Sequence, residues 1–356
     1  MKKLVVLMVV MAMIASCALA NFAILDKGTK ISIQKVGSVL PVIDGKFDAA
    51  AWGEPVMVGT GKAAIDAYCA DNEISREDFL TLTGFGDSDV LSMGNVGDEQ
   101  DMAERVKYLD GVTVKSYLRW SEEFIYICSY IEGVGQSHYN PLTQDESGNI
   151  WQYDNVQYMF LVDVADEDNG SGDAEVGFSL SSTDGTSVKQ RWTDANGGGN
   201  DNTIAKVEKS SNLIVYESRI PWVEAGFDDF TGAAGATFLY AECYNFNVPD
   251  ALAFSSNPEG EGATRTAFEA TNPGAILNGK HSYNGAFATL VDAPAESAPA
   301  VEDNAPAAED NGDAPVAPVT PPKTNPSTSD NLVAAMVVLA IVAAGVMVVS
   351  VRKFSK

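Results

Sequence analysis

The run Val156-Gln157-Tyr158-Met159-Phe160-Leu161-Val162 constrains this chain more than any other. Side chains of an extended strand alternate between two faces. Val156, Tyr158, Phe160 and Val162 share one face; Gln157, Met159, Leu161 and Asp163 share the other. Both faces are largely apolar, so the run predicts a central strand over about 156–164, covered on both sides. Trp151-Gln152-Tyr153-Asp154-Asn155 leads into it. A binding loop on a β-scaffold sits at such a rim and not in the core.

Short alternating runs recur along the chain. Val112 to Trp120 and Phe124 to Ile131, around the turn Ser121-Glu122-Glu123, predict a hairpin. Further strands are expected at 174–181, 187–193, 204–209, 213–220, 238–246 and 286–291, separated by turns rich in Gly, Asn and Asp. The pattern predicts an all-β, antiparallel β-sandwich with jelly-roll or immunoglobulin-like layers over about 31–292. Asp44-Gly45 marks a turn. Asp48 suits the N-cap of a short turn through Ala49 to Trp52, and Trp52 reads as a core plug or a ligand platform. Residues 56–111 read as an insertion: Ser75-Arg76-Glu77-Asp78 has the form of a helix start, and 83–100 is rich in Gly, Asp and Ser like a loop. Pro221 to Gly226 predicts one helical turn ended by glycine.

The ends carry different signals. Met1-Lys2-Lys3, an apolar run from Leu4 to Ile14, and Ala18-Leu19-Ala20 form a secretory signal over 1–20. Ile14-Ala15-Ser16-Cys17 resembles a bacterial lipoprotein box, which would lipidate Cys17. Residues 293–331 are rich in Ala, Pro, Glu and Asp, a composition that buries no core and reads as an extended acidic linker. Leu332 to Val349 carries no charge and suits a transmembrane helix over 332–351, with a basic tail at 352–356 that stays cytoplasmic. The expected protein is therefore anchored through its C-terminal helix on the outer face of a bacterial membrane or cell wall. Asn325-Pro326-Ser327-Thr328-Ser329-Asp330 before the apolar span resembles a Gram-positive sortase signal, departing from Leu-Pro-x-Thr-Gly at its first and last positions. A plain membrane anchor is the alternative.

Acidic residues outnumber basic ones by 49 to 23, a net charge of −26, which argues against a nucleic-acid partner. With the signal removed, Cys69, Cys128 and Cys243 remain; Cys128 and Cys243 lie in strand-like runs and read as buried thiols, with one internal disulfide as the alternative. No CxxC spacing marks a zinc site. His138 and His281 are the two histidines, neither sits in a nucleophile motif, and no feature pairs two carboxylates on a cleft. A non-catalytic protein is expected.

Several segments taken in order resemble the CBM9-like carbohydrate-binding modules, over roughly 31–292. They are Val42-Ile43-Asp44-Gly45-Lys46-Phe47-Asp48 to Trp52, then Tyr117 to Ile127, Trp151 to Gln157, Arg219-Ile220-Pro221-Trp222 and Tyr244-Asn245-Phe246-Asn247. The resemblance implies a β-sandwich that grips sugars of the xylan or glucan class between aromatic rings, with calcium as a structural support. Trp151 matches the first stacking ring, with Asp154 at the family's spacing. Gln157 stands where the family has Glu, and an amide still bonds sugar hydroxyls. Tyr283 and Trp192 are candidates for the second ring, and Asn247 completes the expected ligand set. An envelope scaffold without sugar affinity is the alternative.

Two ion or cofactor readings accompany this. Asp163, Asp166, Asp168 and Asp173 flank a Gly-bearing loop that can offer oxygens to Ca²⁺, although it lacks the EF-hand's final Glu. A solvated hairpin tip is the plainer alternative. Some relatives of such a sandwich hold haem b between Met and His or Lys; Met159 and His281 are the candidates here, with core filler and surface loop as their plainer roles. No cofactor is required by the sugar-binding reading.

Overall fold

The computed structural model describes residues 29–134 (apart from 87 and 95), 150–161, 173–194 (apart from 182), 201–227, 230–247, 265–271, 274–277 and 284–293. The expected signal, acidic linker, apolar anchor and basic tail lie outside these residues. Among the described residues no helix is long and apolar enough to cross a membrane.

The described strands are β1 (Lys30–Lys35), β2 (Met57–Thr60), β3 (Leu91–Ser92), β4 (Thr113–Trp120), β5 (Phe124–Glu132), β6 (Asn155–Leu161), β7 (Asp173–Leu180), β8 (Ser187–Asp194), β9 (Ile204–Ser210), β10 (Leu213–Pro221), β11 (Thr237–Asn247), β12 (Arg265–Glu269) and β13 (Ala286–Val291). They form one continuous path, β8-β7-β6-β11-β13-β1-β4-β5-β10-β9, with β12 on β11, β3 on β12 and β2 on β4. The path folds over so that its two halves face each other. Tyr158 and Phe160 of β6, Val176 and Phe178 of β7 and Tyr240 of β11 pack in one core with Leu118 of β4, Ile127 of β5 and Ile214, Tyr216 and Ile220 of β10. The fold is thus mostly β and sandwich-like, with few helices.

The expected all-antiparallel pairing needs one correction. β1 runs parallel to β13, from Lys30↔Phe287 to Gln34↔Val291, and parallel to β4 at Gln34↔Arg119 and Lys35↔Trp120. The first strand is wedged between two strands distant in sequence, so its neighbours are set by long connections instead of a hairpin turn.

The N-terminal segment caps the outer face of β4, β5 and β10. Helix α1 (Ala49–Trp52) starts on Asp48, whose carboxylate accepts from the Ala50 N–H at 2.9 Å. Trp52 is fully enclosed and packs with Tyr117, Tyr126, Cys128 and Val215, so it is a core plug. Its indole N–H donates to Glu217 Oε1 at 2.8 Å. Glu217 Oε2 accepts from the backbone N–H of Asp44 (3.1 Å) and Gly45 (2.8 Å). One buried acid therefore fixes both the turn and the tryptophan that the sequence marks out.

The insertion carries α2 (Gly61–Asp71), α3 (Arg76–Phe79) and α4 (Glu99–Asp110), more helix than the sequence suggests. Ser75 and Asp78 form a reciprocal capping box at α3. The expected loop at 83–100 contains β3, which pairs with β12 through Ser92↔Ala267 and Leu91↔Phe268. After β10, a 3₁₀ turn (Trp222–Ala225) ends at Gly226 with φ +89. A Cβ at Gly226 would lie 2.8 Å from the Ala174 Cβ, so both backbone angle and space require glycine there.

Between the layers sits a carboxyl with no cation beside it among its bonding partners. Glu242 of β11 accepts from Ser116 Oγ at 2.5 Å and from the hydroxyls of Tyr240 and Tyr244. Ser129 Oγ in turn bonds the Tyr158 and Tyr244 hydroxyls at 2.8 and 3.2 Å. Removal from water pushes the Glu242 carboxyl up, against the pull of its three hydrogen bonds. Burial likewise raises Glu217. It takes Glu269 from 4.5 to about 8, although backbone N–H groups from 274 to 277 pull the other way.

These shifts share one sign. In the unfolded chain these carboxyls lose their protons near 4.5, while the folded protein holds them to higher pH, so the stability each contributes is full below about 4.5 and falls as pH rises, for Glu269 towards about 8. The melting temperature should therefore drop between pH 5 and pH 8 in calorimetry. Glu242→Gln, whose hydroxyl partners can each rotate to donate or accept, should flatten that slope. A variant slope equal to the parent's would contradict this origin.

Candidate functional site

The outer face of the β7-β6-β11-β12 layer is built by the residues that alternate away from the core. Val156, Tyr158 and Phe160 turn inward, so Asn155, Gln157 and Met159 turn outward. Opposite them stand Cys243 and Asn245 on β11, and Gly177 and Glu175 on β7. Arg265 on β12 lies two positions from Ala267, which pairs with Asn245.

These side chains join into one network. Arg265 Nε donates to Asn245 Oδ1 at 2.7 Å. Asn245 Nδ2 donates to Gln157 Oε1 at 2.6 Å and to Asn155 Oδ1 at 3.1 Å. Gln157 Nε2 donates to Glu175 Oε1 at 2.6 Å. An arginine can only donate, so it fixes the orientation of Asn245, which fixes that of Gln157. Gln157, Asn155, Asn245 and Glu175 are almost completely removed from water.

Trp151 closes one end of this row. It lies on a 3₁₀ turn (Ile150–Gln152) and is half-buried. The Arg265 guanidinium sits 5.2 Å from its ring centroid, a cation on an aromatic face. Asn155 holds the turn by donating to the carbonyls of Ile150 (2.9 Å) and Tyr153 (2.8 Å), and the Ile150 N–H donates to Gln190 Oε1 at 3.1 Å. Trp151 and Gln157 are thus brought to one face, as the sequence suggests.

Asp154 is not brought there. It shares the parity of Val156 and Tyr158, is buried, and lies 4.0 Å from Lys209 of β9. Burial pulls the Lys209 ammonium down and Asp154 partly restores it, so this pair serves the junction of the two layers. Trp192 occupies a register shift in β8: Arg191 opposes Val176 and Thr193 opposes Glu175, leaving Trp192 as the extra residue. Asn247 pairs with Arg265 in the ladder. Tyr283, Asp163, Asp166, Asp168 and His281 lie outside the described residues, and Asp173 pairs with Leu161 at the start of β7. Among the described residues no cluster of three or more His, Cys, Asp or Glu is arranged to hold a metal.

Met159 packs with Ala241, Cys243, Ala267, Ala275, Ile276 and Leu277 beside the polar row. Glu269 secures the turn above it, its carboxyl oxygens accepting from the backbone N–H groups of Ala275 (3.2 Å), Ile276 and Leu277 (2.8 Å). Cys69, Cys128 and Cys243 are buried thiols outside any disulfide, as expected for Cys128 and Cys243. Burial pushes the Cys128 thiol well above its ordinary range, which leaves it unreactive.

Sequence reasoning singles out Trp151 and Gln157 but not Glu175, Asn245 or Arg265 as members of the network. A signal exists: Asn245 and Glu175 are polar residues inside otherwise apolar runs.

No known protein family's sequence profile matches the chain, and no curated protein matches it. Among solved structures it is similar to a carbohydrate binding module family 9 (CBM9) from Caldicellulosiruptor kristjanssonii in complex with cellotriose. The identity is 14%, 82% of this chain and 100% of that chain are covered, and the TM-score is 0.39. A second CBM9 structure from the same organism, in complex with glucose, is 13% identical, with 75% and 97% covered and a TM-score of 0.37.

Asn245 is the hub of the row. Asn245→Ala would strand the Arg265 Nε–H and the Gln157 oxygen in a buried setting, which costs about 3 kcal/mol in total. Urea unfolding should show that loss as a lower midpoint. An unchanged midpoint would contradict a dry, interlocked network.

Proposed function

We propose that the protein is a non-catalytic carbohydrate-binding protein whose sugar docks at Trp151. The observation that carries this reading is a partly exposed indole at the end of a buried row of amide, acid and guanidinium groups. A pyranose offers an apolar C–H face to a flat ring and a rim of hydroxyls to such polar groups. Arg265 covers one face of the ring, so the sugar stacks on the other. The ligand class is a plant-type polysaccharide or oligosaccharide, xylan or glucan, by the resemblance of the ordered segments. Trp192 and Tyr283 are the candidates for a second ring, and the acidic loop with Asp163, Asp166, Asp168 and Asp173 for a supporting Ca²⁺.

The same reading places the domain outside a bacterial cell, exported by its signal and held by the apolar C-terminal segment, with or without sortase processing at Thr328. There it retains polysaccharide near the surface for neighbouring enzymes.

One observation favours a second reading. The Glu175-Gln157-Asn245-Arg265 row already satisfies itself, which suits an envelope scaffold with no sugar affinity. Calorimetric titration with xylo- and cello-oligosaccharides separates the two. Binding that weakens at least tenfold in Trp151→Ala, and less severely in Gln157→Ala, supports the receptor. No heat with any glycan leaves the scaffold, and glycan binding undiminished in Trp151→Ala overturns Trp151 as the docking point.

A further inference from the structure

A second unassigned feature lies on the other layer. Ladder pairing aligns Gln34, Arg119, Tyr126, Arg219 and Ile204 in one row across β1, β4, β5, β10 and β9. The flanking residues Tyr117 and Val215 place the row on the outward face, beside Trp52. Arg119 and Arg219 therefore stand on either side of Tyr126, two strand spacings or roughly 10 Å apart at their Cα atoms.

Among the described residues no carboxylate lies within ion-pair distance of Arg119 or Arg219. Yet acids outnumber bases by 49 to 23 in this chain. The nearest acid along the ladder, Glu217, spends its two oxygens on Trp52, Asp44 and Gly45. Arg119 is 7% exposed, and its guanidinium makes one protein hydrogen bond, from Nη1 to the Leu118 carbonyl at 2.7 Å. Burial lowers its proton affinity with no charge to offset the effect. Arg219 lays its guanidinium 4.5 Å from the Phe124 centroid, and its buried Nε–H has no partner.

The surroundings make room for these groups. Gly53 has φ +64, and a Cβ there would come within 2.4 Å of Arg119 Nη2. Glycine thus lets the guanidinium lie directly against the chain after Trp52. Buried cations are normally paired, because an unpaired one costs several kcal/mol. Two guanidiniums in one ladder row, without a carboxylate partner among the described residues and braced by an aromatic ring and a glycine, suit an oxyanion receptor.

We propose that the Arg119–Tyr126–Arg219 row binds a small oxyanion, a carboxylate, phosphate or sulfate group, at a site separate from Trp151. The planar donors of Arg119 and Arg219 share the oxyanion's oxygens, with Tyr126 between them in the ladder. The carboxylate would come from a uronate, the others from free inorganic anions.

Isothermal titration of the full chain with sodium phosphate, sodium sulfate and glucuronate, at constant ionic strength set by chloride, tests this. Saturable binding of at least one probe is expected, weakened at least tenfold in Arg219→Gln, a half-buried position that tolerates change. Arg119→Gln should abolish it, circular dichroism confirming the fold. Trp151→Ala should leave it unchanged, which separates this site from the sugar site. Tightest binding of glucuronate assigns a saccharide carboxylate; tightest binding of phosphate or sulfate assigns a free anion. Absence of saturable binding with all three probes overturns the proposal. So does equal affinity in Arg219→Gln, or glucuronate binding lost in Trp151→Ala alone.

Discussion

Every residue of β6 is buried, on both faces. This double coverage is the constraint from which the rest of the structure follows. A strand with one wet face can spread its polar residues into solvent, but a strand covered twice must find each of them a partner. The inner face meets that demand with Tyr158 on Ser129, next to Glu242 and its ring of hydroxyls. The outer face meets it with Asn155 and Gln157, which reach across the ladder to Asn245 and Glu175. Polar groups inside a protein bind one another with fixed geometry, so both networks lock the register of β6 against its neighbours.

The insertion takes part in this order. Arg105 of α4 is fully buried and paired with Asp101 at 3.0 Å. Its Nη1 also donates to the carbonyls of Met93 and Arg265, the second at 3.1 Å. Asp101 Oδ2 accepts from the Gly97 N–H at 3.1 Å. The helix, the loop before it and the first residue of β12 are thereby tied together. Arg265 carries on its side chain the contact with Trp151 and on its backbone the anchor to α4, so the inserted segment sets where the indole stands. A buried ion pair of this kind contributes more to position than to net stability.

Much of this was legible in the sequence, for physical reasons that can be named. β4, β5, β6, β10 and β11 announce themselves because large apolar residues recur at every second position of their inner faces, interrupted only by Ser116, Ser129, Ser218 and Glu242. Trp52 and its cap at Asp48 follow from composition and turn chemistry alone. β12 was missed because its outward residues, Arg265 and Glu269, are charged, and two of its five residues are apolar. Their charges are satisfied by Asn245 and by the turn at 275–277, partners that no local pattern reveals. β1 was missed for another reason: its partners lie at opposite ends of the domain, and parallel pairing leaves no turn signal. At the site, Trp151 and Gln157 enter through the resemblance of the ordered segments, and the structure brings both to one polar row. Asp154 was grouped with them although period two sends it to the other side, and strand parity is the stronger guide there.

The wedge of β1 between β13 and β4 has a bearing on how the domain is made. Its longest ladder is with the last strand, so nearly the whole domain must be present before the first strand finds its main partner. A chain that emerges N-terminus first therefore holds its sheet open during synthesis, and closes the seam once β13 arrives. Such non-local closure is slow compared with hairpin formation, and it makes the final step of assembly a checkpoint for full-length product. A polypeptide cut short before Ala286 would lack the strand that joins the two ends of its sheet.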